Sequence, residues 1–378
     1  MRHQIGFFIA TTALYLSLTS IPATAQVTFQ AFVEGAFITD MSADGSVAVG
    51  YYDSGSTTTV FRWTSAGGLQ LIGADNMFNQ VYISRDGRVI VGTAKDAQGN
   101  YHAAVWTSGK TWQLLTPFAG AVPSEGHNVS IAYGVSGDGS VIVGSAYVSL
   151  TKAVAFRWDP ANGMVNLGTF DEGTNSDSVA YGVSADGRMV YGWDYKEGFS
   201  PAGPGGSAMN GRRGAIWWDG KERLLHPFGW AGEAWATNAV GSIITGQFHP
   251  LDANNDPTIG HGASTYLWTA WDGHFEDLGA VSIPIGGDQR NYLSQPYAMS
   301  DDGSVVGGET GWSDKFGMIW TPATGMMYMS DYLTKMEVTD HLQWARLNKV
   351  VYISPDGRRL VGYGLSNPQP RTYIVTLK

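Results

Sequence analysis

Short runs of alternating apolar and polar residues, broken by glycine-containing turns, fill the chain from about residue 27 to its end. Alternation with a period of two sends successive side chains to opposite faces, so each run predicts a half-buried β-strand. One run-turn-run pattern recurs as x-x-x-Ser-x-Asp-Gly-x-x-(Val/Ile/Leu)-x-Gly. It reads Met41-Ser42-Ala43-Asp44-Gly45 up to Gly50, and Ile83-Ser84-Arg85-Asp86-Gly87 up to Gly92. Asp138-Gly139, Asp186-Gly187, Asp302-Gly303 and Asp356-Gly357 mark further copies. A degenerate copy from Thr237 to Gly246 keeps the spacing but has Asn238 and Val240 in place of the Ser and Asp. Seven turn glycines therefore align, at 45, 87, 139, 187, 241, 303 and 357.

Asp-Gly between two such runs is hairpin chemistry, because Gly takes positive φ at little cost and Asp bonds the local backbone. The Ser three residues before the Gly ties the same turn. A Ser/Asp pair repeated this often is turn chemistry, not a catalytic pair. A third strand follows in each unit, as in Val60-Phe61-Arg62-Trp63-Thr64, Ala155-Phe156-Arg157-Trp158-Asp159 and Met318-Ile319-Trp320-Thr321. Its aromatics are expected to pack in the core or between units. A fourth strand comes after another glycine turn, as in Gly163-Met164-Val165-Asn166-Leu167-Gly168. A four-stranded meander of about 50 residues is a propeller blade. The last unit stops after its third strand, and Val27-Thr28-Phe29-Gln30-Ala31 is an orphan strand ahead of the first repeat. The fold expected is all-β: a seven-bladed β-propeller of four-stranded antiparallel blades, its last blade closed by the N-terminal strand, which removes the exposed edges.

Residues 1–25 stand outside this pattern. Arg2, a mostly apolar stretch from Ile5 to Leu18, and Ala23-Thr24-Ala25 make a secretory signal peptide cleaved after Ala25. One propeller domain, 26–378, is the expected mature protein, secreted or periplasmic, with no membrane span after cleavage. With no Cys, stability must come from a large core, which a chain of this length can bury. A net charge of −10 without a basic stripe argues against a nucleic-acid partner. A monomer is expected.

Ala155-Phe156-Arg157-Trp158 followed by Gly163-Met164-Val165-Asn166-Leu167-Gly168, with the Ser-x-Asp-Gly-x-x-Val-x-Gly element, resembles the extracellular HAF-repeat family. The final unit resembles that family's ending: a short helix, 331–336, leads through Leu342-Gln343-Trp344-Ala345 into Val351-Tyr352-Ile353-Ser354-Pro355-Asp356-Gly357. The resemblance spans nearly the whole mature chain and implies architecture, but no activity. Ser354-Pro355-Asp356-Gly357-Arg358-Arg359-Leu360 also resembles the TolB-like propeller repeat, whereas the sialidase Asp-box is not matched.

In a meander the Asp-Gly turns share one face, and the second-to-third and fourth-to-first connections share the other. The latter are long at 193–213, 247–264 and 280–295, and expanded at 116–130 and 328–348. Variable loops above a rigid scaffold are where sites tend to lie, so a site is expected on that face, around the central opening. Trp193, Asp194, Tyr195 and Lys196 combine flat aromatics with charges that suit sugar faces and hydroxyls. Arg212 and Arg213 suit a carboxylate or sulfate held in two-pronged fashion. His249, Arg290, Tyr292, Glu309 and Trp312 are further ligand-binding candidates, and Glu125 with His127 is a candidate acid/base pair. Asp252, Asn254 and Asp256 open like a calcium loop, although Pro257 replaces the turn glycine and Ala263 stands where a bidentate Glu belongs. Calcium is the one cofactor these residues suggest. Two functions are open: a module that recognises an extracellular ligand, a glycan foremost, or a polysaccharide lyase or glycoside hydrolase. A lyase needs a His, Tyr or Lys base near an Arg, and a hydrolase needs two carboxylates.

Overall fold

The computed structural model describes residues 27–53, 58–74, 80–109, 111–170, 177–195, 212–225, 231–249, 263–281, 294–311, 315–366 and 369–377. The leader expected at 1–25 lies outside these residues. Seven four-stranded antiparallel sheets form, and six are consecutive meanders. They cover residues 37–74 (blade 1), 82–114 (blade 2), 130–168 (blade 3), 178–224 (blade 4), 231–279 (blade 5) and 294–328 (blade 6). Blade 7 combines three strands from residues 346–376 with Thr28–Glu34.

The closure expected for the orphan strand is present. Thr28–Glu34 pairs antiparallel with Gln369–Thr376, in register from Thr28 opposite Thr376 to Ala31 opposite Tyr373. Phe29 is buried and stacks on Tyr373 at 5.4 Å, with Trp344 edge-on at 5.4 Å. The short helix is Met329–Lys335, starting two residues and ending one residue earlier than its pattern suggested. It packs Met329, Tyr332 and Leu333 into the same cluster.

Repeat chemistry behaves alike in every complete copy. Ser42 donates to Asp44 Oδ1 (2.7 Å) and accepts the Val47 N–H (3.0 Å), while the same carboxylate accepts the Ser46 N–H. That backbone bond, chiefly, holds the Asp44 carboxyl below its ordinary range. In the degenerate turn one side chain does both jobs: Asn238 Oδ1 accepts from the Ser242 and Ile243 N–H groups. Gly139, at φ 78°, shows why the turn needs glycine twice over. A Cβ there would also meet Val89 of the preceding blade at 2.3 Å.

The core lies between blades. Val47, Val49 and Val60 of blade 1 share one cluster with Ile83, Ile90, Ala104 and Trp106 of blade 2. Trp106, Trp217, Trp268 and Trp320 of the third strands are buried as expected. On the Asp-Gly face the turns are also bonded to one another around the ring. Ala43 N–H donates to the Arg85 carbonyl (2.9 Å), Asp86 to Gly137 (3.0 Å), Gly137 to Ala185 (2.9 Å), Ala185 to Ala239 (2.8 Å) and Asp301 to Pro355 (2.9 Å). Ala239 reaches blade 6 through Asp301 Oδ1 (3.0 Å). Pro355 has no N–H to pass on. The Tyr352 hydroxyl completes the circuit by donating to the Ser42 carbonyl at 3.0 Å.

Candidate functional site

The site begins with a defect in the innermost strands. Six blades carry a register break at the residue three before the repeat Ser or its equivalent, between Ile38 and Asp40, Ala132 and Gly134, Ala180 and Gly182, Ala234 and Ala236, Pro296 and Ala298, and Val350 and Tyr352. A β-bulge leaves one residue unpaired and re-aims its side chain. The unpaired residues are Thr39, Tyr133, Tyr181, Trp235, Tyr297 and Val351, and all six line the central channel, a cavity of about 530 Å³. The repeat's second glycine makes room for the bulge. A Cβ on Gly144 would lie 1.9 Å from the Ile131 carbonyl oxygen, and one on Gly192 1.9 Å from that of Val179.

At this position large aromatics occur only in blades 3 to 6, where they make a continuous arc; Tyr51, Tyr82, Tyr191 and Tyr363 line the channel from other strand positions. Tyr133 meets Tyr181 edge-on at 6.0 Å, and Tyr181 stacks on Trp235 at 4.3 Å and 13°. Trp235 meets Tyr297 at 5.1 Å, and the Lys349 ammonium sits 3.3 Å above the Tyr297 ring. Each of these side chains is half-buried. Burial pushes the Tyr181 and Tyr297 hydroxyls well above their ordinary range, so they are neutral donors.

Among the described residues, one carboxyl, Asp40, and one ammonium, Lys349, stand on the channel wall. Burial brings the Lys349 ammonium down to about 8, partly offset by Glu309. Burial also raises the Asp40 carboxyl to about 7, against the Ile83 and Met41 N–H groups that donate to it at 2.9 and 2.8 Å. Both are poised near neutrality, which marks a group suited to binding or proton transfer.

The candidates read from the sequence fall into three groups. Lys196, Arg290, Tyr292, Trp312, Asp252, Asn254 and Asp256 lie outside the described residues, as do the centres of the three longest loops. Among the described residues, no three His, Asp or Glu side chains gather as metal ligands. Glu125 and His127 sit exposed on a side turn.

The remaining candidates are on strand ends, close behind the channel wall. Trp193 is 6% exposed; its indole N–H donates to the Tyr181 hydroxyl at 3.1 Å, and the Arg212 guanidinium covers its face at 4.1 Å. Arg212 also pairs with Glu233 Oε1 at 2.6 Å, and Gln247 donates to Glu233 Oε2 at 3.3 Å. Burial raises the Glu233 carboxyl while Arg212 opposes that rise. Asp194 and Arg213 face each other across adjacent strands and are buried. Asp194 accepts the Phe170 N–H at 3.0 Å. Tyr195 ends the same strand, its N–H bonded to the Asp177 carbonyl. His249 Nε2 is sealed from solvent, and burial brings the imidazole down to about 4. Glu309 joins the arc: it accepts from the Tyr297 hydroxyl (3.2 Å) and pairs with Lys315 (2.7 Å) and Lys349 (3.9 Å). Trp193, Arg212 and Glu309 thus converge on the aromatic arc. Asp194, Arg213 and His249 do not reach it in any contact described.

Sequence reasoning passed over the arc itself. Its signal is the column three places before the repeat Ser, which reads Thr39, Val81, Tyr133, Tyr181, Trp235, Tyr297, Val351.

No family model matches the chain, and no curated protein matches it in sequence. Solved structures do. The β-propeller domain of the Trilobed protease from Pyrococcus furiosus covers 91% of this chain and 96% of its own, at 12% identity and a TM-score of 0.55. An oligogalacturonate lyase from Vibrio parahaemolyticus covers 93% and 97%, at 11% identity and a TM-score of 0.54. A TolB from Agrobacterium tumefaciens covers 80% and 97%, at 17% identity and a TM-score of 0.44. The likeness is one of fold. The Pyrococcus domain has an open velcro topology, whereas here the seventh blade borrows its fourth strand. Among the described residues, no helix is long and apolar enough to cross a membrane.

Proposed function

We propose that this protein is an exported glycan-binding propeller whose ligand lies in the central channel against the arc of Tyr133, Tyr181, Trp235 and Tyr297. The observation that carries the reading is that, at the position three before the repeat Ser, large aromatics occur in four consecutive blades and in no other. A packing role common to all blades would repeat in all of them, and blades 1, 2 and 7 have Thr39, Val81 and Val351 instead. Flat rings offer the C–H faces of a sugar an apolar wall, and neutral tyrosine hydroxyls offer its hydroxyls partners. Lys349 at the end of the arc favours a sugar bearing a carboxylate. A volume of about 530 Å³ lies within the range of cavities that enclose small organic ligands. The extracellular HAF-repeat resemblance and the leader at 1–25 support export.

A carbohydrate-active enzyme is the second reading, favoured by Asp40 and Lys349, two channel groups with perturbed titration. Lys349 is the candidate base for a lyase acting on a uronate. The experiment that tests both is a calorimetric titration of the mature protein against neutral and uronate oligosaccharides, with ultraviolet absorbance followed for unsaturated product. Saturable binding of a uronate without product supports the binding module. Steady product formation supports the lyase, and no heat with any sugar defeats the glycan reading.

A further inference from the structure

The channel mouth on the Asp-Gly face is crossed by an ion pair. On the Asp-Gly face, Arg85 of the blade 2 turn reaches Asp301 of the blade 6 turn with both prongs of its guanidinium, Nη1 to Oδ1 at 3.1 Å and Nη2 to Oδ2 at 2.8 Å. Blades 2 and 6 are three steps apart by the shorter way round, the largest separation a ring of seven permits. The pair therefore crosses the mouth instead of joining neighbours. Both ends are anchored. The Arg85 carbonyl accepts from Ala43, and Asp301 is bonded through its N–H to Pro355, through Oδ1 to the Ala239 N–H and through its carbonyl to Asn238 Nδ2. The pair is about one-third exposed, so screening weakens it, but the planar fork fixes its geometry.

We propose that this crossbar makes the channel one-ended, so that the protein recognises the terminus of a glycan chain and not an internal stretch. This rests on the glycan reading above. A linear polymer cannot thread a mouth barred by a two-pronged ion pair whose partners are held by the hydrogen-bonded ring of turns. A ligand in the channel enters from the long-loop face, runs along the aromatic arc, and stops beneath Arg85 and Asp301. The ligand class is accordingly a chain end or short oligosaccharide, with a carboxylate suited to Lys349.

The test is a length series of one linear polyuronate, from the disaccharide to the polymer, titrated into the mature protein with concentration expressed per chain. End recognition predicts an affinity that levels off within a few units and then stays the same. Recognition of internal stretches predicts that a tenfold longer chain binds about tenfold more tightly per chain, because it presents that many more equivalent sites. That second result overturns the proposal and leaves the glycan reading standing, whereas no binding at any length overturns both. Arg85→Ala removes the crossbar and leaves the arc untouched. In that variant the longest chains should gain affinity over the short ones, and a length profile identical to the native protein's refutes the role assigned to the pair.

Discussion

Truncating Phe29 tests whether the ring is closed by the chain's own N-terminus. The Phe29 side chain is 5% exposed, lies against Tyr373 and Trp344 at 5.4 Å each, and sits near the start of the strand that pairs with Gln369–Thr376. Phe29→Ala removes that packing and leaves a cavity in a cluster that includes Leu333, Leu360 and Val375. Such truncations cost about 3–5 kcal/mol. At roughly 2 °C per kcal/mol for a domain of this size, that lowers the melting temperature by about 6–10 °C. Scanning calorimetry reads the shift. Hydrogen exchange should show the Gln369–Thr376 amides losing protection first, since an unpinned N-terminal strand exposes the edge of blade 7 before the other blades respond. A stability loss below about 0.5 kcal/mol, within what surface substitutions give, would show that Phe29 does not seal the ring.

Further consequences follow from the same geometry. Gly192→Ala places a Cβ 1.9 Å from the Val179 carbonyl oxygen, and the backbone cannot yield without undoing the bulge. It should cost about 3 kcal/mol or more in urea unfolding and weaken ligand binding together, and tolerance of the alanine would refute the bulge account. His249 and Asp40 set opposing pH dependences. The folded pKa of His249, about 4, lies below its ordinary value, so its contribution is fully present above about 6.5 and is lost as pH falls towards 4. The folded pKa of Asp40, about 7, lies above its ordinary value, so its contribution is present at low pH and is lost as pH rises through 7. Asp40→Asn should therefore expose a stability that rises with pH between 4 and 6.5, and His249→Gln the reverse; parallel profiles in denaturant midpoints would contradict both assignments.

Much of the architecture was legible because each blade repeats its own turn chemistry. Ser, Asp and Gly at fixed offsets located the first hairpin of six sheets, the spaced glycines Gly241 and Gly246 located that of the fifth blade, and the orphan run near Val27 implied the closure that Thr28–Glu34 makes. The site was less legible, for a physical reason. A period of two tells which residues share a face, but one inserted residue exchanges the faces beyond it. The bulges at Tyr133, Tyr181, Trp235 and Tyr297 sit where the alternation looks uninterrupted, so the channel wall has no mark in a single strand. Only the column read across blades reveals it. Trp193 shows the opposite error of emphasis: beside a long loop it suggested a sugar platform, yet strand pairing buries it behind Tyr181, with Arg212 across its face. The crossbar from Arg85 to Asp301 joins residues 216 positions apart, and nothing local to either turn announces it.

The account turns on Trp235, the middle of the arc. A calorimetric titration of a uronate oligosaccharide into the native protein and into Trp235→Ala, both shown folded by circular dichroism, measures its contribution directly. Loss of a central aromatic anchor should weaken binding by about 2 kcal/mol, roughly thirtyfold, with Tyr133→Phe nearly silent by comparison. Equal affinity in the native protein and Trp235→Ala would place the ligand elsewhere and contradict the channel as the binding site.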